Sequence, residues 1–162
     1  MQKILIIVFV LSVFALGWVS SSMFAIVSAT DLQMPLGGQA VLSTPSQRIA
    51  ENSIHVFSDK VVLDIQNATW ASFTPTHSME PFISDKSYGL ELKPKSPSEL
   101  KVGDVISYSS DFTSGLVIHR IIKTGFDEQG WYAIVKGDNN AEQDPGKVRF
   151  EKINGVLVGV IY

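Results

Sequence analysis

Apolar and polar residues alternate in short stretches from residue 54 to the C-terminus, and turn-forming residues separate these stretches. The stretches are rich in Val, Ile, Tyr and Trp, which favour β-strands. After residue 52 no segment has the 3.6-residue spacing of an amphipathic helix. The pattern predicts a mainly β domain, built as a partly closed barrel or as two packed antiparallel sheets. The predicted strands cover residues 54–58, 61–65, 69–73, 88–92, 104–109, 116–122, 131–135 and 156–162.

The first two of these strands are separated by Ser58, Asp59 and Lys60, which predicts a hairpin. Upstream, residues 31–52 contain Pro35, Gly37, Gly38 and Pro45. That composition predicts a linker, with one short helical turn at residues 46–52. The β-rich domain is therefore expected to occupy residues 53–162.

The N-terminal part of the chain has a different pattern, because residues 4–29 carry no charged side chain. As a helix, this segment would measure about 39 Å at ~1.5 Å per residue, and a bilayer needs about 20 apolar residues. Lys3 precedes it and Asp31 follows it. Since positive charge stays in the cytoplasm, we predict a single-pass transmembrane anchor at residues 1–30. The N-terminus would be cytoplasmic and the β-rich domain would lie on the outer face of the cell membrane.

A cleaved signal peptide is the alternative for this segment. Val27-Ser28-Ala29 places small side chains at the first and third positions of a tripeptide, as a cleavage site requires. Under either interpretation, residues 31–162 are exported.

Composition restricts the chemistry of the protein. The 162 residues include no cysteine, which excludes disulfides, thiolate metal sites and a cysteine nucleophile. The 13 basic residues are outnumbered by 16 acidic ones, for a formal charge of -3. A nucleic-acid-binding protein normally has a basic excess, so the charge argues against that class. The three histidines have no recognisable metal-ligand spacing, so no metal is expected.

Three polar segments interrupt the β pattern and together supply a serine, a histidine and aspartates. They lie at residues 74–81, 115–122 and 136–145. A serine hydroxyl needs a base within hydrogen-bond reach, and the base needs a third group that orients it. Such a set is common by chance, so the residues around it decide whether it is functional.

Four short motifs in these segments resemble those of type I signal peptidases. Ser-Met-Glu-Pro at residues 78–81 resembles the nucleophile box, and residues 100–106 look like the family's Gly-Asp strand entry. His-Arg-Ile-Ile at residues 119–122 is similar to the base-bearing strand of the archaeal and endoplasmic-reticulum branch, where histidine replaces the bacterial lysine. Gly-Asp-Asn-Asn at residues 137–140, followed by Asp144, matches the acidic box. The resemblance covers residues 70–162, and the single N-terminal anchor also fits it.

The resemblance implies a role for each matching residue. Ser78 would be the nucleophile and His119 the general base. Asp144 would orient His119, and Asp138 would share that role or hold the turn at residues 137–140. The oxyanion hole would consist of the Ser78 backbone N–H and the Thr76 hydroxyl.

The implied activity is that of a membrane-anchored serine endopeptidase that cleaves signal peptides from exported preproteins after a small residue. Its partners would be such preproteins, membrane lipid and the translocation machinery, and it would need no cofactor. Two alternatives stay open. One is an inactive family member that binds exported segments or partner subunits, and the other is a processing peptidase dedicated to a single surface precursor.

One position departs from the family pattern, because His77 stands where glycine usually separates the oxyanion-hole hydroxyl from the nucleophile. Glycine adopts positive φ without strain, and histidine is among the non-glycine residues enriched there.

Arg120, next to His119 on a predicted strand, is expected to point to the opposite face for a surface or ion-pair role. The apolar residues around the nucleophile have two interpretations, as core or as a pocket for small substrate side chains. They are Trp70, Phe73, Met79, Phe82 and Ile83.

Overall fold

A computed structural model describes residues 43–162, which belong to one compact unit that spans Val41–Tyr162. The predicted anchor at residues 1–30, and the predicted linker up to residue 42, lie outside the described residues. The described strands are β1 (Ile54–Val56), β2 (Val61–Leu63), β3 (Ala68–Ser72), β4 (Tyr88–Leu92), β5 (Val105–Ser109), β6 (Leu116–Asp127), β7 (Gly130–Lys136), β8 (Val148–Arg149) and β9 (Ile153–Ile161). Short 3-10 helices occupy Glu51–Ser53, Pro97–Glu99 and Phe150–Lys152. Among residues 43–162, no helix has the length and apolar character needed to cross a membrane.

The strands form one two-stranded and one seven-stranded antiparallel sheet. β1 pairs with β2, and the larger sheet has the order β3-β4-β9-β5-β6-β7-β8. The prediction of a mainly β, antiparallel domain is therefore confirmed. The larger sheet is open, in contrast to the expected partly closed barrel, because its edge strands β3 and β8 do not pair. Closure requires two edges that exchange backbone hydrogen bonds, and β8 offers only two residues.

Each predicted strand overlaps a strand of the structure, and the hairpin at residues 54–65 is present. Three features differ from the prediction, and one is that β9 begins at Ile153, three residues before the predicted start at residue 156. β6 continues five residues beyond the predicted end at residue 122, since it pairs with β7 down to the pair Asp127 and Gly130. The two-residue strand β8 has too short a pattern to be visible in the sequence.

Alternation along β6 divides the core into two clusters, one on each face of the sheet. Ile121 belongs to a larger cluster that includes Ile106, Tyr108 and Val135. Ile118 packs instead against a smaller cluster that consists of Met79, Ile83, Val105 and Leu157. Full burial of each large aliphatic side chain stabilises the fold by roughly 1.5–3 kcal/mol. The segment that follows Ser78 is therefore anchored to the second face of the sheet.

The end of the predicted linker packs against the entry to β5. Asp104, which is fully buried, accepts hydrogen bonds from the Ser46 backbone N–H at 2.7 Å and from the Arg48 guanidinium at 2.6 Å. Gly103 has φ of +103°, and a Cβ atom at this position would lie 2.3 Å from the Thr44 carbonyl oxygen. Only glycine fits both constraints, so Gly103 allows the chain upstream of residue 46 to cross this strand entry.

Candidate active site

The nucleophile candidate Ser78 lies in a half-buried turn that follows β3. The next residue, Met79, is only 3% exposed and fixes this turn to the core. The Ser78 hydroxyl forms a hydrogen bond with the Thr76 hydroxyl at 3.2 Å. The two groups expected to act as nucleophile and oxyanion donor are therefore adjacent.

A second turn, at residues 137–140, forms hydrogen bonds with the backbone of the Ser78 turn. The backbone N–H of Asn139 donates to the Ser78 carbonyl oxygen at 2.9 Å, and its side-chain amide donates to the His77 carbonyl oxygen at 3.0 Å. A Cβ atom on Gly137 would lie 2.6 Å from the Ser78 carbonyl oxygen, so the close approach requires glycine. The position of Ser78 is thus set by residues about 60 positions further along the chain.

The predicted base His119 lies on β6, opposite Ile106 of β5, and is 7% exposed. Its Nδ1 atom lies 2.7 Å from Oδ2 of Asp144, which is the contact expected of a base and its orienting carboxylate. This contact leaves Nε2 as the ring nitrogen that is available to exchange a proton.

Asp144 lies in the loop between β7 and β8, and its backbone N–H donates to the Val135 carbonyl oxygen at 2.9 Å. Its carboxylate also accepts a hydrogen bond from the Tyr108 hydroxyl. Burial acts to raise the pKa of Asp144, but the hydrogen bonds from His119 and Tyr108 outweigh burial and lower it. Asp144 is therefore ionised at neutral pH, as an orienting group must be.

Asp138 has a different partner from Asp144. Its carboxylate forms a bidentate ion pair with Arg120, with distances of 2.8 Å to Nε and 2.6 Å to Nη2. Both side chains are less than 10% exposed, and Arg120 also donates to the Gly103 carbonyl oxygen. Arg120 points away from the face of His119, as expected from strand alternation. Of the two roles considered for Asp138, the geometry matches the one of holding the turn at residues 137–140.

The Ser78 turn and His119 lie at the same end of the β6–β7 pair. Arg120 and Lys136 form the last pair of this ladder, so His119 and Gly137 follow at its end. Gly137 in turn packs against the Ser78 carbonyl oxygen. In the described part of the chain, Ser78 Oγ has no direct hydrogen bond to His119. In the absence of substrate, hydrogen bonds of this kind are often long.

His77 adopts a left-handed conformation with φ of 59°, a backbone region that favours glycine. Its ring is exposed and lies 2.8 Å from the Glu80 carboxylate. The hydrogen bond to Glu80 and the charge of that carboxylate raise the pKa of His77. When it is protonated, the ring forms an ion pair with Glu80 beside Ser78.

The apolar residues near Ser78 divide between the two interpretations. Met79 and Ile83 are each 3% exposed and belong to the core. Phe73 packs against the same cluster. Trp70 is 59% exposed and stacks on Tyr88 with ring centroids 5.1 Å apart, and Phe82 is 38% exposed. Of these five residues, only Trp70 and Phe82 are available at the surface to contact another molecule.

The sequence did not indicate the roles of Tyr108 and Asn139, which the structure adds to the site. Tyr108 pairs with Val117, two residues from the pair of Ile106 and His119, so strand alternation would have placed it on the face of His119 once the register was known.

Within residues 43–162, no group of three or more His, Asp or Glu side chains is arranged to hold a metal ion. Comparisons with protein-family models, curated proteins and solved structures gave no match to this chain.

Proposed function

We propose that the protein is a membrane-anchored serine endopeptidase that removes signal peptides from exported preproteins. The observation that carries the proposal is the hydrogen bond between His119 and Asp144, at the end of the sheet where the turn at residues 137–140 also holds the backbone of Ser78. A histidine that is merely packed in a core does not require a carboxylate on Nδ1. Together with the sequence motifs, this arrangement favours an acyl-transfer site.

The proposed reaction begins when Ser78 Oγ attacks the carbonyl carbon of the scissile peptide bond. The hydroxyl proton passes to Nε2 of His119, and Asp144 stabilises the imidazolium that forms. The oxyanion accepts hydrogen bonds from the Ser78 backbone N–H and the Thr76 hydroxyl. His119 then gives the proton to the leaving amine, and a water molecule hydrolyses the acyl-enzyme by the same route.

The membrane location and the substrate class rest on the sequence. The uncharged residues 4–29 would keep the chain in the cell membrane with residues 43–162 on the outer face. A preprotein would then present its cleavage site close to the bilayer. Its extended chain would bind beside a strand edge, with small residues at the first and third positions before the cut. The antiparallel β-sheets would have the fold of type I signal peptidases.

The test uses the full-length chain in detergent and a model preprotein with a small residue before the cut. Wild type should release the mature product, and Ser78→Ala should release none. Ser98→Ala, an exposed serine distant in sequence, serves as the matched control and should cut like wild type. Equal product from wild type and Ser78→Ala would refute the assignment of Ser78.

A second candidate function is binding of exported segments without cleavage. It is favoured by one observation, which is that Ser78 and His119 share no direct hydrogen bond within residues 43–162. A binder would retain the labelled preprotein uncut in a pull-down, and Ser78→Ala would retain it equally well. Appearance of product that depends on Ser78 would eliminate this candidate.

A further inference from the structure

Tyr108 and His119 meet on the same carboxylate oxygen. The Tyr108 hydroxyl and the His119 Nδ1 atom both bond to Oδ2 of Asp144. Ile106 pairs with His119 and Tyr108 pairs with Val117, so Tyr108 and His119 are diagonal neighbours on one face of the sheet. Two side chains from adjacent strands thus converge on one atom of a loop residue.

Tyr108 and His119 lie on strands of the sheet, whereas Asp144 lies in the loop between β7 and β8. The ring of Tyr108 is 3% exposed and belongs to the larger core cluster, so packing fixes the hydroxyl in space. Asp144 has a single backbone hydrogen bond to β7, which leaves its side-chain torsions free to choose among rotamers. Burial and the neighbouring carboxylate raise the pKa of Tyr108, so its hydroxyl remains a donor at neutral pH.

We propose that Tyr108 is a positioning residue that fixes the Asp144 carboxylate, so that Oδ2 points at Nδ1 of His119. This inference rests on the proposed function, and it adds a fourth side chain to the serine, histidine and aspartate of that proposal. Tyr108 touches no reacting atom. It acts by selecting one rotamer of Asp144, and therefore one orientation of the imidazole.

The first test compares Tyr108→Phe with wild type on the model preprotein, with the full-length chain in detergent. Loss of one hydrogen bond to a charged group corresponds to about a tenfold or larger effect, so kcat should fall about tenfold with little change in KM. The matched control is Tyr132→Phe, whose hydroxyl makes no hydrogen bond to another described residue and whose ring lies 4.2 Å from Lys147 Nζ. Full kcat in Tyr108→Phe would overturn the proposal.

A double-mutant cycle separates positioning from general packing. If Tyr108 acts through Asp144, then Tyr108→Phe should cause no further loss in an Asp144→Ala background. A tenfold loss that persists in that background would show that the tyrosine acts through packing, and would overturn the proposal.

The third readout does not require cleavage. The His119 Nδ1 proton should give a low-field NMR resonance that reports its bond to Asp144, and Tyr108→Phe should move it while Tyr132→Phe does not. If wild type and Ser78→Ala are equally inactive, the proposed function fails, but this resonance still decides the role of Tyr108. An unchanged resonance in Tyr108→Phe would overturn it.

Discussion

Gly137 approaches the Ser78 backbone so closely that a Cβ atom on it would lie 2.6 Å from the Ser78 carbonyl oxygen. The same carbonyl accepts a hydrogen bond from the Asn139 N–H at 2.9 Å. The turn at residues 137–140 therefore holds the backbone of the Ser78 turn in place. Any atom added at its closest point must displace Ser78 from its position.

The first prediction follows from this contact. In Gly137→Ala the added methyl group pushes the Ser78 turn away, and a displacement of about 1 Å at a reacting group can cost on the order of 100-fold in rate. We expect that loss in kcat/KM for the model preprotein. Gly159→Ala is the control, because its Cβ would meet Leu90 atoms only at 3.7 Å or more, an ordinary contact. Wild-type activity in Gly137→Ala would show that the turn does not position the nucleophile.

The second prediction concerns Thr76, whose hydroxyl lies 3.2 Å from that of Ser78. Thr76→Val preserves the shape of the side chain and removes the donor. An oxyanion-hole donor acts mainly in the transition state, so kcat should fall about 100-fold with a small change in KM. Thr76→Ser should keep most of the activity, and Thr113→Val, at an exposed threonine, should keep all of it. A rise in KM at constant kcat would instead assign Thr76 to substrate binding.

The third prediction tests the ion pair between Asp138 and Arg120. Both side chains are nearly buried, and removal of one partner leaves an uncompensated charge, at a cost of about 3–5 kcal/mol. Asp138→Ala should lower the free energy of unfolding in urea by that amount. The double variant Asp138→Leu with Arg120→Met should recover part of the loss.

The same variant separates the two aspartates. If Asp138 only holds its turn, the His119 Nδ1 proton resonance should survive in Asp138→Ala, provided that the protein is studied well below its unfolding transition. Loss of that resonance in folded Asp138→Ala would mean that Asp138 also orients the histidine.

The fourth prediction concerns pH and Glu91, a buried carboxylic acid that accepts a hydrogen bond from Ser107. Burial raises its pKa above the ordinary 4.5, and the bond from Ser107 offsets only part of this rise. The folded state therefore holds the proton more tightly than the unfolded state. Its contribution to stability is present below pH 4.5 and is lost as pH rises through the raised pKa of the folded state.

Glu91→Gln has no such titration, so its urea midpoint should fall less than that of wild type over this pH window. Glu128→Gln, at an exposed position, should retain the wild-type pH dependence. Parallel pH profiles for wild type and Glu91→Gln would contradict the assignment. Asp104 and Asp144 act in the opposite sense, since their lowered pKa values make the fold lose stability as pH falls below the ordinary 3.8.

The strands could be predicted from the sequence because alternation is a local property, and every predicted stretch overlaps a strand. The open form of the sheet could not, since closure depends on the pairing of β3 with β8, which are 76 or more residues apart. Register is equally non-local. Only the pairing of β5 with β6 reveals that Tyr108 shares a face with His119.

The choice between the two aspartates shows the same limit. Asp138 and Asp144 both lie in a turn-rich segment, and the motifs favour Asp144 for His119 but leave open whether Asp138 shares that role. The structure separates them by the two faces of β6. Arg120 pairs with Asp138 on one face, and His119 meets Asp144 on the other.

The last prediction concerns His77, which adopts φ of 59° immediately before Ser78. Glycine reaches this conformation without strain, whereas an L-residue pays roughly 1–2 kcal/mol. His77→Gly should therefore keep kcat within about twofold of wild type, because the turn keeps its shape and the Asn139 side chain bonds to a backbone oxygen that any residue supplies. His77→Val, a β-branched residue, should distort the turn and lower kcat at least tenfold.

The alternative is that His77, rather than His119, accepts the proton from Ser78. Its ring is already engaged by Glu80 at 2.8 Å and is exposed, whereas His119 is buried with an ionised carboxylate on Nδ1. Cleavage rates of His77→Gly and His119→Ala, measured side by side on the model preprotein, decide between them. Loss of cleavage in His77→Gly with activity retained in His119→Ala would move the base to His77, and the reverse result keeps it at His119.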